Sequence, residues 1–200
     1  MSTGHSQLRV LKWVVLANLG YFGIEFAVAA SIASVSLFAD SIDFLEDAAL
    51  SGLILLGLQW SPRSRARLAM LLALLLLLPG VATLWAAWHA WRAGTVPAPI
   101  PLSLAGVGAF AVNFGCAVAL AKVRDAHGSL TKAAFLSARN DVIANIAIVA
   151  AGALTAMTAS QWPDLAVGFG IFAMNADAAR EVFLAARVEH RTDLSRGGAR

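Results

Sequence analysis

Along the 200 residues, apolar runs of about twenty alternate with short polar breaks. Six such runs fall at roughly 11–32, 36–59, 67–91, 101–122, 132–157 and 162–186. At about 1.5 Å of rise per residue, each can cross a hydrocarbon core about 30 Å thick as a helix. Strands of a transmembrane barrel would instead alternate polar and apolar residues in segments of about ten, and these runs do not. The clearest breaks are WSPRSR at 60–65 and PAPIP at 97–101. Pro79-Gly80 lies inside the third run, where a kink fits better than a loop, because a break would leave two pieces too short to cross. The pattern predicts an all-α, polytopic membrane protein with six transmembrane helices over 11–187. A polar lead (1–10) precedes them and a short polar tail (188–200) follows.

Composition strengthens this reading. A hydrophobic fraction of 59%, a charged fraction of 14% and a mean hydropathy of +0.72 give more apolar surface than a soluble domain of this size could hide in one core. The apolar segment after MSTGHSQLR is too long for a secretory h-region and has no A-x-A site, so it is expected to stay on the chain. Cys116 is the only cysteine, which leaves no disulfide framework and no thiolate cluster within one chain. The pI near 9.6 does not point to nucleic acid, because the basic residues sit between the spans rather than on one face.

Their distribution sets the orientation. With the N-terminus inside, the inner segments carry Arg9, Lys12, Arg63, Arg65, Arg67, Lys122, Arg124, Lys132, Arg180, Arg187, Arg191, Arg196 and Arg200, which is 13 of the 15 basic residues. The positive-inside rule therefore predicts that both termini are cytoplasmic, in the inner membrane of a cell. The six tryptophans, Trp13, Trp60, Trp85, Trp88, Trp91 and Trp162, all fall at predicted span ends, where an amphipathic ring prefers to sit.

Against this background the stretch ADSIDFLEDA at 39–48 stands out, with Asp40, Asp43, Glu46 and Asp47 in the second span. Asp43 and Asp47 lie roughly 10 to 17 Å below the outer edge, near mid-membrane. Positions 40, 43 and 47 share one helix face, with Glu46 on its flank. Three like charges on a buried stripe are costly unless a cation or protons occupy it. The fifth span carries Ser137, Asp141 and Asn145 at i, i+4, i+8, with Asp141 roughly 14 Å from the inner edge. If the two helices touch, Asp43, Asp47 and Asp141, with Ser137 or Asn145, form an oxygen-rich pocket for a divalent cation. Each residue alone has a blander role as helix-packing glue. It is the cluster that marks an ion or proton pathway.

The segments SVSLFADSIDFLEDA, LSARNDVIANIAIV and WPDLAVGFGIF resemble the cation diffusion facilitator family of divalent-metal exporters, and the six-span layout extends the resemblance over nearly the whole chain. The resemblance places metal ligands at Asp43 and Asp47 in the second span and at Ser137 and Asp141 in the fifth. Ser137 stands where the family has histidine, so the donors are all oxygens. Typical members carry a cytoplasmic metal-binding domain after the sixth span. Here only HRTDLSRGGAR follows Glu189, and the expectation is a short form. The resemblance implies metal efflux by alternating access with proton antiport, Zn²⁺ first among the cargoes and Co²⁺, Cd²⁺ and Mn²⁺ also expected. It further implies homodimers, no resident cofactor and no enzymatic activity. Two alternatives are a non-transporting partner subunit and a membrane-embedded enzyme. The latter would need a Ser-His or His-Glu pair near an interface, and the sequence has none.

Among the remaining polar residues, Asp40, Asn145, Glu46 and Glu25 are accessory candidates, Asp40 as a relay toward the outer vestibule and Glu25 along the exit path or paired with a neighbour. Arg139 points about 200° away from Asp141 and is expected to pair with Glu46 or Asp177 or to snorkel inward. Asn113 and Asn175 are expected to bond between helices. Gly20, Gly23, Gly168 and Gly170 are expected to permit close helix approach.

Overall fold

In the computed structural model, the residues described are 2–57, 81–122, 129–174, 176, 177 and 180, with side chains described over 8–55, 81–122 and from Ala138 onward. They form helices α1 (Ser2–Ile32), α2 (Val35–Gly57), α3 (81–93), α4 (Pro99–Ala121), α5 (Ser129–Thr158) and α6 (Trp162–Met174). No strand occurs among the described residues. The predicted spans thus coincide with α2, α4 and α5 to within three residues, while α1 ends as predicted but begins nine residues earlier, at Ser2. Most of the third span, including Pro79-Gly80, and the end of the sixth lie outside the described residues.

Local sequence explains the helix ends. Pro99 and Pro101 open α4, where the first-turn N–H groups have no intrahelical acceptor and a proline's missing donor costs nothing. Between α1 and α2 the chain reverses at Ala33, which takes a left-handed φ of 54°, while Ser34 N–H donates to the Ala29 carbonyl at 3.1 Å. Gly94, at φ 63°, ends α3 in the same way, with Thr95 N–H donating to the Ala90 carbonyl.

Packing follows an inside-out logic. Leu16, Ile24, Val107, Phe114, Ile143, Ile146 and Met157 are exposed, whereas Asn18, Glu25, Asp40, Asp43, Asp47, Asn113 and Asn145 are buried. In water that arrangement would be unstable; in lipid it is the favourable one, because the apolar surface faces acyl chains and polar groups meet each other inside. Among the described residues, three helices, over Leu8–Ile32, Pro99–Ala121 and Ala138–Thr158, are long and apolar enough to cross a membrane. α2 has the length but also the four carboxylates. Trp88, Trp91 and Trp162 line an apolar groove with Phe169, and Arg92 lies over the Trp88 ring at 5.7 Å, as suits an interfacial belt.

α1 packs along α2 and α4 along α5, with α1 against α4 and α2 against α5 closing the bundle. Two apolar clusters hold it together. Leu11, Val14, Ile54, Cys116, Leu120 and Ala138 form one. Ala29, Leu37, Leu102, Ala105, Ile148 and Ile171 form the other. On α1, α2, α4 and α5 the buried carboxylates and asparagines fall, in sequence, between the residues that enter the two clusters, while the buried hydroxyls of Ser36 and Thr155 lie beyond them.

α6 fixes the start of α2. The Asp164 carboxylate, buried in the first turn of α6, accepts from Ser34 Oγ at 2.6 Å and from Val35 N–H at 2.7 Å. It also accepts from Ser36 N–H at 3.2 Å and Ser36 Oγ at 2.5 Å. Ser34 Oγ in turn accepts from Leu37 N–H, the capping bond of a helix N-terminus. An anion here satisfies donors that α2 cannot satisfy itself and complements its dipole. Gly168 makes the approach feasible, since a Cβ there would lie 2.7 Å from Val35 Cγ1 and 2.9 Å from Ser36 N. Gly20, Gly23 and Gly170, by contrast, meet no other described residue within 4 Å of where a Cβ would stand.

Asp164→Ala should therefore lower stability by about 1–3 kcal/mol by leaving these buried donors without an acceptor, with Asp164→Asn costing less. Thermal unfolding of the purified protein in detergent measures it, and an unchanged midpoint for Asp164→Ala would remove the clamp from the account.

Candidate cation site

α2 presents Asp40, Asp43 and Asp47 on one face, and all three are buried, at 0%, 6% and 6% exposure. The i, i+3, i+7 spacing does this within a single helix, and the contact of α2 with α5 brings in Asp141. Asp141 stands beside Asp47 and within electrostatic range of Asp40 and Glu46. Asp141 also acts electrostatically on Asp43. The three residues expected to be ligands in the described set are therefore neighbours. Among the described residues, no three His, Cys, Asp or Glu side chains close on a common point at ligand distance, so the carboxylates adjoin without forming a finished coordination shell. Ser137 lies on the helical backbone of α5, and its side chain is outside the described residues. Glu46, on the flank, is partly buried and adjoins Asp47.

The accessory candidates divide differently. Asn145 is fully buried; its Nδ2 donates to Asp40 Oδ2 at 2.6 Å, while its Oδ1 accepts from Asn113 Nδ2 at 3.0 Å. Both ends of the amide are occupied, so Asn145 joins α4, α5 and α2 rather than facing the Asp43, Asp47 and Asp141 group. Glu25, fully buried on α1, stands beside Asp40. The structure thus resolves the acidic stripe into two adjoining groups. One is Asp43, Asp47 and Asp141; the other is Glu25 and Asp40 with the two asparagines.

Other expectations sort plainly. Arg139 is exposed and donates to Asn140 Oδ1 at 3.4 Å, away from the carboxylates. His89 packs against Trp85 with ring centroids 4.5 Å apart and the planes tilted by 54°. Asn113 is the interhelical bonder expected of it, and Asn175 lies outside the described residues. Asp164 has no role assigned from sequence beyond its place in WPDLAVGFGIF. The signal available was the Ser34-Val35-Ser36 helix start, whose donors call for an acceptor.

Chemically, a group of carboxylates with no basic residue anywhere in α2 or α4 can hold a hard or borderline divalent cation, or protons in its place. A family model described as the cation efflux transmembrane domain matches residues 11–188. That match covers most of the chain, and the protein belongs to the cation efflux family, as its second-span and fifth-span motifs lead one to expect. No curated protein matches the chain. The protein is thus a membrane protein of a transporter family, a metal cation efflux transporter.

The amide bridge makes its own prediction. Asn145→Ala should cost about 1–3 kcal/mol, because it strands Asp40 Oδ2 and Asn113 Nδ2 in a buried setting. Asn113→Ala combined with Asn145→Ala should cost less than the two single changes added, a coupling read from unfolding midpoints in a double-mutant cycle. Strict additivity would mean that the bridge does not form.

Proposed function

We propose that this protein exports a divalent metal cation in exchange for protons, by alternating access, through a bundle of six spans with both termini cytoplasmic. The observation that supports this most directly is the adjacency of Asp43 and Asp47 on α2 to Asp141 on α5, in the stretch of each helix between the two apolar clusters. Asp43, Asp47 and Asp141 bind the cation, and Ser137 supplies the fourth family position. The cargo is Zn²⁺ first, with Co²⁺, Cd²⁺ and Mn²⁺ admitted by an oxygen-only donor set. The functional unit is a homodimer in the inner membrane of the cell.

The mechanism follows from electrostatics. In a low-dielectric layer, several adjoining carboxylates cannot all remain charged and empty. Metal and protons therefore compete for the same oxygens, and occupation by one favours departure of the other. With the site open inward, M²⁺ displaces protons. With the site open outward, protons displace M²⁺. Because this chain has serine where relatives have histidine, carboxylates alone perform the proton exchange. High proton concentration on the far side should thus speed metal release, and a collapsed proton gradient should slow uphill export.

Reconstituted protein with a metal dye and an internal pH dye tests the proposal, with Zn²⁺, Cd²⁺, Co²⁺ and Mn²⁺ offered in turn. Asp47→Ala and Asp141→Ala should each abolish metal movement and the opposing proton movement while the protein remains folded. Undiminished flux in either variant would remove that residue from the site, and absence of any flux in wild type would favour the partner-subunit alternative.

A further inference from the structure

Glu25 and Asp40 present a problem that the cation site does not solve. Both are fully buried, on different helices, and their carboxyl groups stand side by side. Neither oxygen of Glu25, nor Oδ1 of Asp40, has a hydrogen-bond partner among the described residues. Only Asp40 Oδ2 is satisfied, by Asn145 Nδ2. Three orphaned acceptor oxygens therefore meet in a region closed to water. Two adjoining carboxylates can donate nothing to each other, and their repulsion is weakly screened at low dielectric. One proton corrects both faults at once. It cancels one charge, and it turns one acceptor into a donor aimed at the other carboxyl group.

We infer that Glu25 and Asp40 form a proton-holding pair, separate from the Asp43, Asp47 and Asp141 group, and that this pair carries a proton which leaves when metal enters. The O–H bond lies on Glu25 and donates to Asp40 Oδ1, while Asn145, itself held by Asn113, fixes the other oxygen of Asp40. The groups facing the pair are the Tyr21 phenol on α1, Asp43 and Asp47 on α2, and Asp141 on α5. From α4 the described contribution is the neutral Asn113 amide, reached through Asn145. The Tyr21 hydroxyl is engaged elsewhere, donating to the Ala105 carbonyl at 2.6 Å, and so does not quench the pair.

Coupling to metal runs through Asp40. It lies one helical turn from Asp43, and Asp47 is among its electrostatic neighbours. A doubly charged cation at Asp43, Asp47 and Asp141 supplies from outside the positive charge that the proton supplied from within. The Glu25 O–H bond then breaks, its electron pair stays on the carboxylate, and the proton passes to water on the side to which the site is open. Departure of the metal reverses the step. This link rests on the proposed cation site, whereas the existence of the proton pair does not.

Infrared difference spectroscopy reads the pair directly. Wild-type protein without metal should show the C=O stretch of a protonated carboxyl group that resists raising the pH and shifts in D₂O. Glu25→Gln and Asp40→Asn should each remove that component of the spectrum and leave any component from Asp43, Asp47 and Asp141. A wild-type spectrum without the band, or a band unchanged in both variants, overturns the pair. Because the wild type alone shows whether the band exists, one variant that fails to fold leaves the other to assign it. Adding Zn²⁺ to weakly buffered protein with a pH dye then tests the link, and Glu25→Gln should release about one proton fewer per Zn²⁺ bound than wild type. Equal release in the two overturns the coupling. If a band that Glu25→Gln removes is present but wild type binds no Zn²⁺, Co²⁺, Cd²⁺ or Mn²⁺, the pair stands and the cation site is the part that fails.

Discussion

A carboxylate taken out of water needs donors, a cation or a proton, and α2 takes three of them out of water on one helix face. The organisation of the bundle follows from meeting that need. Asn145 reaches from α5 to one oxygen of Asp40 and is oriented by Asn113 from α4. Asp141 comes from the same α5 to stand by Asp47. Neither α2 nor α4 contains a basic residue that would neutralise the stripe permanently. A fixed Lys or Arg on either helix would stabilise the fold and oppose the proposed exchange.

Holding such a group steady requires the helices around it to be fixed. The apolar clusters on either side of the polar layer give α1, α2, α4 and α5 a common packing. At the α2 N-terminus, Asp164 adds polar bonds that non-directional apolar contact cannot supply, and Gly168 lets α6 come close enough to make them. The depth of α2, and with it the position of Asp43 and Asp47, is set from the α6 end. The proposed cation site at the centre thus depends on a capping interaction at the rim.

Much of this was legible in the sequence because membrane helices obey length and periodicity. Runs of about twenty apolar residues located α1, α2, α4 and α5, and the three-and-four spacing put Asp40, Asp43 and Asp47 on one face. What periodicity does not encode is the partner across a helix interface. Asn145 and Asp141 lie on the same side of α5, yet one amide is consumed by Asp40 and Asn113 while the carboxylate meets Asp47. The spacing alone treated them as one set. Glycines illustrate the same limit, since Gly168 is pressed against α2 while Gly170, two residues on and turned by about 200°, meets no other described residue within 4 Å of where a Cβ would stand. Asp164 was invisible as a cap because its acceptor role depends on donors 128 to 130 residues earlier in the chain. Ser137 and Pro79-Gly80 lie outside the residues whose side chains or backbone are described, and their roles rest on sequence.

The most direct test of the central claim, that oxygen donors from α2 and α5 bind a divalent cation in the polar layer, is X-ray absorption on protein loaded with one equivalent of Zn²⁺, beside the same sample of Asp141→Ala. The account predicts a first shell of oxygens alone at about 2.0–2.2 Å in the wild type and loss of the bound ion in the variant. A shell containing imidazole nitrogen or sulfur, or an ion bound equally well by Asp141→Ala, would contradict it.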